Sequence, residues 1–186
     1  MPLLRGLIRI VGVGDPWDRF PRRFPVRVFG TGSKREFRWY FEGHSSVDAQ
    51  SLDDVCDWLL DCEYVSDPDL FHEPDFWQHP RTFERLKKGD CEDHALWAWR
   101  KLVELGFQAE LMSGSWTQAP GEFGGHVWVR FRQENRDFVL EAVANSRERM
   151  VRPLEEVREE YEPHVGVDNE FNSYGYFGYL RELERR

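Results

Sequence analysis

The order of hydrophobic patterns between residues 91 and 143 constrains the fold more than any other feature of this sequence. A helical pattern begins at about Cys91 and ends near Leu105, where Gly106 is a natural C-terminal stop. Three strand-like segments follow, FQAELMS, HVWVRF and DFVLEAV, with a polar turn at Gln133 to Arg136 between the last two. One helix followed by consecutive strands predicts an α+β fold in which this helix packs on an antiparallel sheet.

Weaker patterns precede this region. RFPVRVFG and REFRWYFEG alternate apolar and polar residues around a Gly-rich turn, which predicts two strands joined as a hairpin. Ser51 and Asp54 have the spacing of a helix cap, and the apolar face of the helix that they begin contains Cys56. Cys56 is therefore expected to be a buried, unreactive thiol.

Residues 64–88 contain three prolines among acidic and aromatic residues, which predicts a long ordered loop with a short helical turn at about 82–86. A short helix is expected after Pro153. Residues 171–186, FNSYGYFGYLRELERR, have no pattern that assigns them to a helix or a strand.

Composition indicates one domain. The chain has 186 residues, 40% of them hydrophobic, including eight Trp and fourteen Phe, which is enough for a single core over residues 1–186. The net charge is −9, but residues 1–40 carry nine Lys or Arg against three acidic residues. This basic N-terminal arm, residues 1–45, either binds a partner or packs on the acidic remainder of the chain. Nucleic-acid binding is not expected, because no zinc-finger spacing or RNP-like motif accompanies the charge.

The cysteines and the hydropathy pattern predict a reduced, cytoplasmic protein. Three cysteines are an odd number, and no pair has the spacing of a zinc ribbon or a redox dithiol. The apolar N-terminal stretch is interrupted by Arg5 and Arg9, unlike a signal peptide. No segment approaches the roughly 20 apolar residues that cross a bilayer, so no membrane partner is expected.

The segment KKGDCEDHALWAW places Cys91 in the first turn of the central helix. Unpaired backbone N–H groups and the positive end of the helix dipole favour a thiolate there. Asp90 is the expected N-cap, and Asp93 stands in the reciprocal position of a capping box. Since these carboxylates oppose ionisation of the thiol, a cationic group is expected beside Cys91.

His126, at the start of HVWVRF, is the candidate for that group. An imidazolium beside the thiolate would supply positive charge and deliver a proton to a leaving amine. If the loop after HVWVRF has an even number of residues, Glu141 of the next strand lies on the same face of the sheet as His126. The two side chains are then within reach of a hydrogen bond, as a base and the carboxylate that orients it.

These motifs resemble a known family. GDCEDHALWAWRKLVELGF is similar to the nucleophile helix of the transglutaminase-like superfamily, in particular of the bacterial transglutaminase-like cysteine proteinases, whose motif reads approximately G-D-C-E-D-x-A and whose helix ends in Leu-Gly. DFWQHPRTF resembles the W-x-x-P segment of that family, and GGHVWVRF and DFVLEAV occur in the order of its His and Asp strands. The resemblance covers about residues 75–145.

The resemblance implies a papain-like arrangement of Cys, His and Asp on a helix packed against an antiparallel sheet. By position, Cys91 is the nucleophile, His126 the general base and acid, and Glu141 stands where the family usually has Asp. The backbone N–H of Cys91, with Gln78 or Trp77, is the implied oxyanion hole. The chain departs from the family in this Glu, in His94 where an aromatic residue is common, and in lacking the export signal of many bacterial relatives.

No cofactor is expected to be required, and calcium is the one ion whose binding the resemblance suggests. Some bacterial relatives bind calcium through acidic residues that flank the cysteine, and Asp90, Glu92 and Asp93 match that pattern. Calcium takes six to eight oxygen ligands, of which the sequence identifies only these three. A zinc site formed by Cys91, His94 and His126 is the alternative, and it lacks a fourth ligand.

Two functions follow. The first is a cysteine-dependent amide hydrolase or acyl transferase, which forms a thioester with a peptide or protein substrate and passes the acyl group to water or an amine. The second is an inactive binding or regulatory module that uses the aromatic loop 71–83 or the basic arm. In the second case Cys91 and His126 are structural residues, and Glu141 is a solvated partner of a basic residue such as Arg130.

Overall fold

The computed structural model describes residues 36–119 and 122–181. Within these ranges the helices are α1 (Leu52–Leu60), α2 (Asp67–Leu70), α3 (Pro80–Leu86), α4 (Cys91–Glu104), α5 (Arg147–Met150) and α6 (Leu154–Val157). The strands are β1 (Glu63–Tyr64), β2 (Lys88–Gly89), β3 (Gln108–Ala119), β4 (Glu122–Gln133), β5 (Arg136–Leu140), β6 (Val151–Pro153), β7 (Tyr161–Val167), β8 (Ser173–Phe177) and β9 (Leu180–Arg181). The predicted α+β class is confirmed.

Seven strands form one antiparallel sheet in the order β6-β5-β4-β3-β7-β8-β9. The predicted hairpin is present, since β4 and β5 pair from Val129 opposite Leu140 to Gln133 opposite Arg136. β3 pairs with β4 over a longer distance, from Gln108 opposite Arg132 to Ala119 opposite Glu122. β1 and β2 form a separate parallel pair immediately before α4.

The sheet separates two apolar clusters, because successive side chains of a strand point to opposite faces. On one face Val127, Val129 and Phe131 of β4 pack in the main core together with α4, whose Trp97 and Trp99 are fully buried. On the other face a smaller cluster contains Met112, Trp128, Val139, Val157, Tyr161 and Tyr176. A side chain of β4 can therefore be assigned to a face by the parity of its residue number.

The helix starts follow the sequence signals. In α1 the Ser51 side chain accepts a hydrogen bond from the Asp54 N–H (3.1 Å), and Cys56 is buried as predicted. In α4 the side chains of Asp90 and Asp93 form the predicted capping box. These caps satisfy N–H groups that have no partner inside a helix.

The prediction of a strand over residues 35–43 is wrong. Phe37–Phe41 form a 3-10 helix, which buries Phe37 and Tyr40 on one side. The Arg100 guanidinium of α4 donates to the carbonyls of Tyr40 (3.2 Å), Glu42 (3.2 Å) and Gly43 (2.6 Å). A neighbouring strand is thus not needed to satisfy these carbonyls. The partner strand that was predicted at residues 23–30 lies outside the described residues.

Two other predictions are confirmed, namely the turn at 82–86 as part of α3 and the helix after Pro153 as α6. The three cysteines are free. The pattern analysis missed β7, β8 and β9. No described helix is long and apolar enough to cross a membrane.

Candidate active site

Cys91 is the first residue of α4 and is partly buried against the main core. Its thiol donates a hydrogen bond to Glu92 Oε2 (3.2 Å), and the backbone N–H of Val127 points at its sulfur. Backbone N–H groups of a strand lie in the plane of the sheet. The sulfur therefore sits at the rim of the sheet, beside the residue that follows His126.

The surroundings of Cys91 oppose a thiolate. Burial raises the pKa of the Cys91 thiol well above its ordinary value, and the carboxylates of Glu92 and Asp90 raise it further, while the Val127 N–H acts in the opposite direction. The helix N-terminus does not outweigh these effects, so the conflict predicted from the sequence is present in the structure.

His126 and Glu141 form a buried hydrogen-bonded pair. His126 Nε2 lies 2.7 Å from Glu141 Oε2, which confirms that the two side chains share a face of the sheet. The Tyr161 hydroxyl donates to the same carboxylate oxygen (2.8 Å), and the Val143 N–H donates to the other (3.4 Å). With His126 Nε2–H donating to Glu141, Nδ1 is the ring nitrogen that can accept a proton.

Aromatic rings enclose this pair on the sheet face opposite α4. The Trp116 ring stacks on the His126 imidazole with a centroid separation of 4.8 Å and an interplanar angle of 29°. Trp128 is also nearly parallel to the imidazole, at 6.2 Å and 20°. The two indole rings therefore restrict the orientation of the His126 ring.

The structure brings Cys91 and His126 to neighbouring positions of α4 and β4 without joining them. No hydrogen bond links the Cys91 sulfur to a ring nitrogen of His126 within the residues that the structure describes. To form one, the thiol would have to leave Glu92. The catalytic roles of Cys91, His126 and Glu141 therefore remain predictions.

The two residues predicted to line an oxyanion hole have other partners. The Gln78 side-chain amide donates to the Lys88 carbonyl (2.9 Å) and to Asp93 Oδ2, and its backbone N–H donates to Asp93 Oδ1 (2.9 Å). The Trp77 indole donates to Asp75 Oδ1 (3.1 Å). Stabilisation of an oxyanion by either side chain would require one of these bonds to be exchanged, so this role also stays a prediction.

Five carboxylates form an acidic cluster beside Cys91, consisting of Asp67, Asp75, Asp90, Glu92 and Asp93. Within two overlapping groups, Asp67–Asp90–Asp93 and Asp67–Asp75–Glu92, the oxygens lie within 4.8 Å of one another. Burial, followed by the charge of Asp90, raises the pKa of Asp67 to about 7. Burial and neighbouring carboxylates also raise the pKa values of Asp90, Glu92 and Asp93.

The acidic cluster has the chemistry of a calcium site. Two of its buried oxygens, Asp67 Oδ1 and Asp90 Oδ1, have no hydrogen-bond partner, and neither does Oε1 of Gln78, which contacts Asp93. Calcium prefers oxygen ligands of this kind, so these residues fit the ion. Asp93 is different, because both of its oxygens accept hydrogen bonds from Gln78. Sequence analysis missed Asp67 and Asp75, although they lie in the acidic loop that it identified.

The structure does not support the zinc alternative. The groups of side chains that could hold a metal, within the described residues, contain Cys91 and carboxylates but neither His94 nor His126. His94 Nδ1 instead lies 2.8 Å from the Asp90 carbonyl, and burial lowers the pKa of His94 to about 4. His94 is thus a neutral residue of the helix start.

Comparisons with known proteins agree with this architecture. Residues 44–161 match the family model described as bacterial transglutaminase-like cysteine proteinase BTLCP. Two solved structures of LapG from Legionella pneumophila have the same fold. The calcium-bound form has a TM-score of 0.51 at 21% identity, covering 72% of this chain and 71% of that one. The EGTA-treated form has a TM-score of 0.51 at 20% identity, covering 72% and 70%. A search of curated proteins gave no match.

Proposed function

The chain belongs to the bacterial transglutaminase-like cysteine proteinases, and from this premise we propose that it is a cysteine peptidase that acts through Cys91, His126 and Glu141. The substrate is an amide bond of a peptide or protein. The acceptor of the acyl group is water, because a transferase needs a site that selects an amine over water.

In the proposed reaction, His126 Nδ1 takes the proton of the Cys91 thiol and the thiolate adds to the amide carbonyl carbon. The C–N bond then breaks, and the imidazolium gives its proton to the departing amine, which leaves a thioester on Cys91. His126 next takes a proton from water as the water oxygen attacks the thioester. The C–S bond breaks, the imidazolium returns its proton to the Cys91 sulfur, and the carboxylic acid is released.

The observation that carries this proposal is the buried hydrogen bond between His126 and Glu141. It lies beside Val127, whose N–H faces the Cys91 sulfur. Burying an ionisable pair costs free energy, which apolar side chains in the same positions would avoid. Glu141 accepts from Tyr161 as well, so its position is fixed from two sides. Such a pair is expected where an imidazole must keep one tautomer and gain a proton during catalysis.

Calcium binding at the acidic cluster is the second part of the proposal. Asp67, Asp75, Asp90 and Glu92 would hold the ion, because the cluster has unpartnered oxygens and its carboxylates repel one another. A bound calcium ion would supply positive charge near the Cys91 sulfur. Glu92 would then serve as a ligand instead of accepting the thiol hydrogen bond. One solved structure of similar fold is a calcium-bound protein.

Calcium binding is tested by thermal unfolding in CaCl₂ and in EGTA. At about 100 times the Kd, binding adds about 2.7 kcal/mol of stability, which raises Tm by roughly 5–10 °C for a chain of this length. We expect the double substitution Asp67→Asn and Asp90→Asn to abolish the increase. Asp61→Asn is the matched control, since Asp61 is an exposed carboxylate at the end of α1. An equal increase in both variants would contradict the assignment.

The nucleophile is tested by iodoacetamide labelling of Cys91 between pH 5 and 9 in saturating calcium. We expect labelling well below pH 8 in the wild type, slower labelling in His126→Ala, and loss of peptide hydrolysis in Cys91→Ala. Cys56→Ala serves as the control for the other thiols. Labelling of Cys91 at the rate of an ordinary thiol at every pH, unaffected by His126→Ala, would support the inactive binding module instead.

A further inference from the structure

One edge of β4 is free beside Cys91. β5 pairs with β4 only from Val129 to Gln133, whereas β3 covers the opposite edge as far as Glu122. Residues 122–128 of β4 therefore have no strand on the β5 side, within the part of the chain that the structure describes. An unpaired edge presents backbone N–H and C=O groups that another extended chain can use.

The hydrogen bonds of β3 identify the groups on this edge. The Thr117 N–H donates to the Glu160 carbonyl on the side away from β4, so the backbone groups of Trp116 and Gly114 face their partners Gly124 and His126 of β4. The N–H of Val127, the next residue, therefore lies on the free edge, where it also lowers the pKa of the Cys91 thiol. Backbone groups of a strand alternate between its two edges with a period of two residues. The N–H and C=O groups of Gly125 and Phe123 consequently lie on the free edge too, in one row that ends at the nucleophile.

The faces of β4 beside this row are open. A Cβ atom built at Gly124 or Gly125 would meet no atom within 4 Å, whereas one built at Gly114 of β3 would lie 2.0 Å from the Glu162 carbonyl oxygen. Packing of the sheet thus explains the glycine at 114 but not those at 124 and 125. Phe123, at the far end of the row, is 73% exposed. An unpaired backbone edge with an exposed aromatic residue at its far end therefore leads to Cys91.

We propose that a polypeptide binds along this edge as an added β-strand, paired with the backbone of Phe123 and Gly125, with its reacting carbonyl at Cys91. The proposal deepens the proposed function, since it names the substrate of that site as an extended, unfolded segment with free backbone N–H groups. Main-chain pairing supplies affinity in such complexes, and alternate side chains supply specificity.

The register in which the substrate strand pairs with β4 predicts which substrate sequences the site prefers. Val127 and Phe123 are four residues apart, which is about 13 Å along a strand. A substrate side chain about four residues from the reacting carbonyl would therefore face Phe123, where an apolar or β-branched residue makes a favourable cross-strand pair. Proline is excluded at the residue that donates to the Gly125 carbonyl, because it has no N–H.

Two series of thiol-reactive peptides test the proposal, since the strand can run in either direction along the edge. In peptidyl chloromethyl ketones, Phe-Ala-Ala-Ala precedes the reactive carbon. In N-chloroacetyl peptides, Ala-Ala-Ala-Phe follows it. In both, the Cys91 sulfur displaces chloride. Each series includes versions with one N-methylated backbone amide, and each rate constant is divided by that of iodoacetamide.

We expect one series to react faster than iodoacetamide. In that series, the effect of N-methylation on the rate should alternate from one amide to the next. An N-methyl group on a paired amide slows labelling about 10-fold, while one on the adjacent amide changes the rate less than about 2-fold. Equal effects at neighbouring amides, or no peptide preference in either series, overturn the proposal. The iodoacetamide rate itself tests the proposed function, so the two failures are distinguishable.

Substitutions on β4 give a second measurement. Gly125→Pro removes the N–H on the free edge, and Gly125→Ala is the matched control that keeps it. Each variant's peptide rate is divided by its own iodoacetamide rate; we expect this ratio to lose the preference for the faster peptide in the proline variant and to keep it in the alanine variant. A proline variant that retains the full peptide preference overturns the proposal.

Discussion

Glu141 stands where the family usually has Asp. Its longer side chain reaches two hydrogen-bond partners. One oxygen lies 2.7 Å from His126 Nε2 and 2.8 Å from the Tyr161 hydroxyl. We predict that Glu141→Asp, which withdraws the carboxylate by about one C–C bond, lowers peptide hydrolysis at least about 10-fold. The reason is that a hydrogen bond weakens steeply as its distance and angle depart from the ideal. Steady-state kinetics, with circular dichroism to verify folding, measures the effect.

Tyr161 was not identified from the sequence, and its hydroxyl should matter for activity more than for folding. Burial, followed by the charge of Glu141, raises the pKa of Tyr161, so the phenol stays protonated and donates to the carboxylate at all working pH values. We predict that Tyr161→Phe lowers hydrolysis about 3- to 10-fold.

Tyr176→Phe is the matched control, because the Tyr176 hydroxyl donates to Glu110 Oε2 (2.7 Å) in the same sheet. Both substitutions should cost about 0.5–1.5 kcal/mol of unfolding free energy in urea. Only the change at Tyr161 should alter hydrolysis. Equal activity losses in the two variants would assign Tyr161 a purely structural role.

The two-residue period of side chains along a strand explains which site residues could be predicted from the sequence. His126 and Glu141 are joined by a short turn, so their common face follows from a two-residue period. Asp67 and Asp75 reach the site through an irregular loop whose course no periodicity specifies. Tyr161 comes from β7, whose pairing with β3 spans 45 residues of chain between Trp116 and Tyr161. The pairing of His126 with Glu141 was therefore predictable, whereas the approach of Asp67 and Asp75 to Cys91 was not.

At the scale of the element, the start of α4 depends on Asp93. Its buried carboxylate accepts from two N–H groups of Gln78 and from the Asp90 N–H (3.4 Å). We predict that Asp93→Ala lowers the unfolding free energy by about 2–4 kcal/mol, because it leaves buried donors without an acceptor. Ser51→Ala, which removes the exposed cap of α1, should cost only about 1 kcal/mol. Urea unfolding of both variants in calcium measures the difference.

Local signals predicted the elements whose partners are close in sequence. α1, α4 and the β4–β5 hairpin each have caps or turns that agree with their hydrophobic period. Residues 37–41 alternate like a strand, yet Arg100, about 60 residues later in the chain, hydrogen-bonds the adjoining carbonyls and the segment forms a 3-10 helix. Strand β8 contains polar and glycine residues and is stabilised by its place in the sheet.

Across the whole molecule, the acidic cluster couples folding to pH. Its four carboxyl groups with raised pKa values are Asp67, Asp90, Glu92 and Asp93, with Asp67 at about 7. In an unfolded chain such groups titrate near pH 4. Between about pH 5 and 7 the metal-free folded protein therefore binds more protons than the unfolded chain. His94 has the opposite effect, because its pKa is lowered to about 4 and the unfolded chain binds the extra proton below about pH 6.5.

Four carboxyl groups have raised pKa values and one histidine has a lowered pKa. The carboxyl groups therefore decide whether stability rises or falls with pH. In EGTA, the unfolding free energy should fall as pH rises from 5 to 7, by about 1.4 kcal/mol per pH unit for each net proton that unfolding releases. In saturating calcium the same carboxylates are held ionised by the ion, so the dependence should flatten or reverse. Urea unfolding at pH 5, 6 and 7 in both buffers measures the two slopes. Stability that increases with pH in EGTA would mean that these carboxyl groups are ionised in the folded, metal-free protein, and that the cluster does not need a cation.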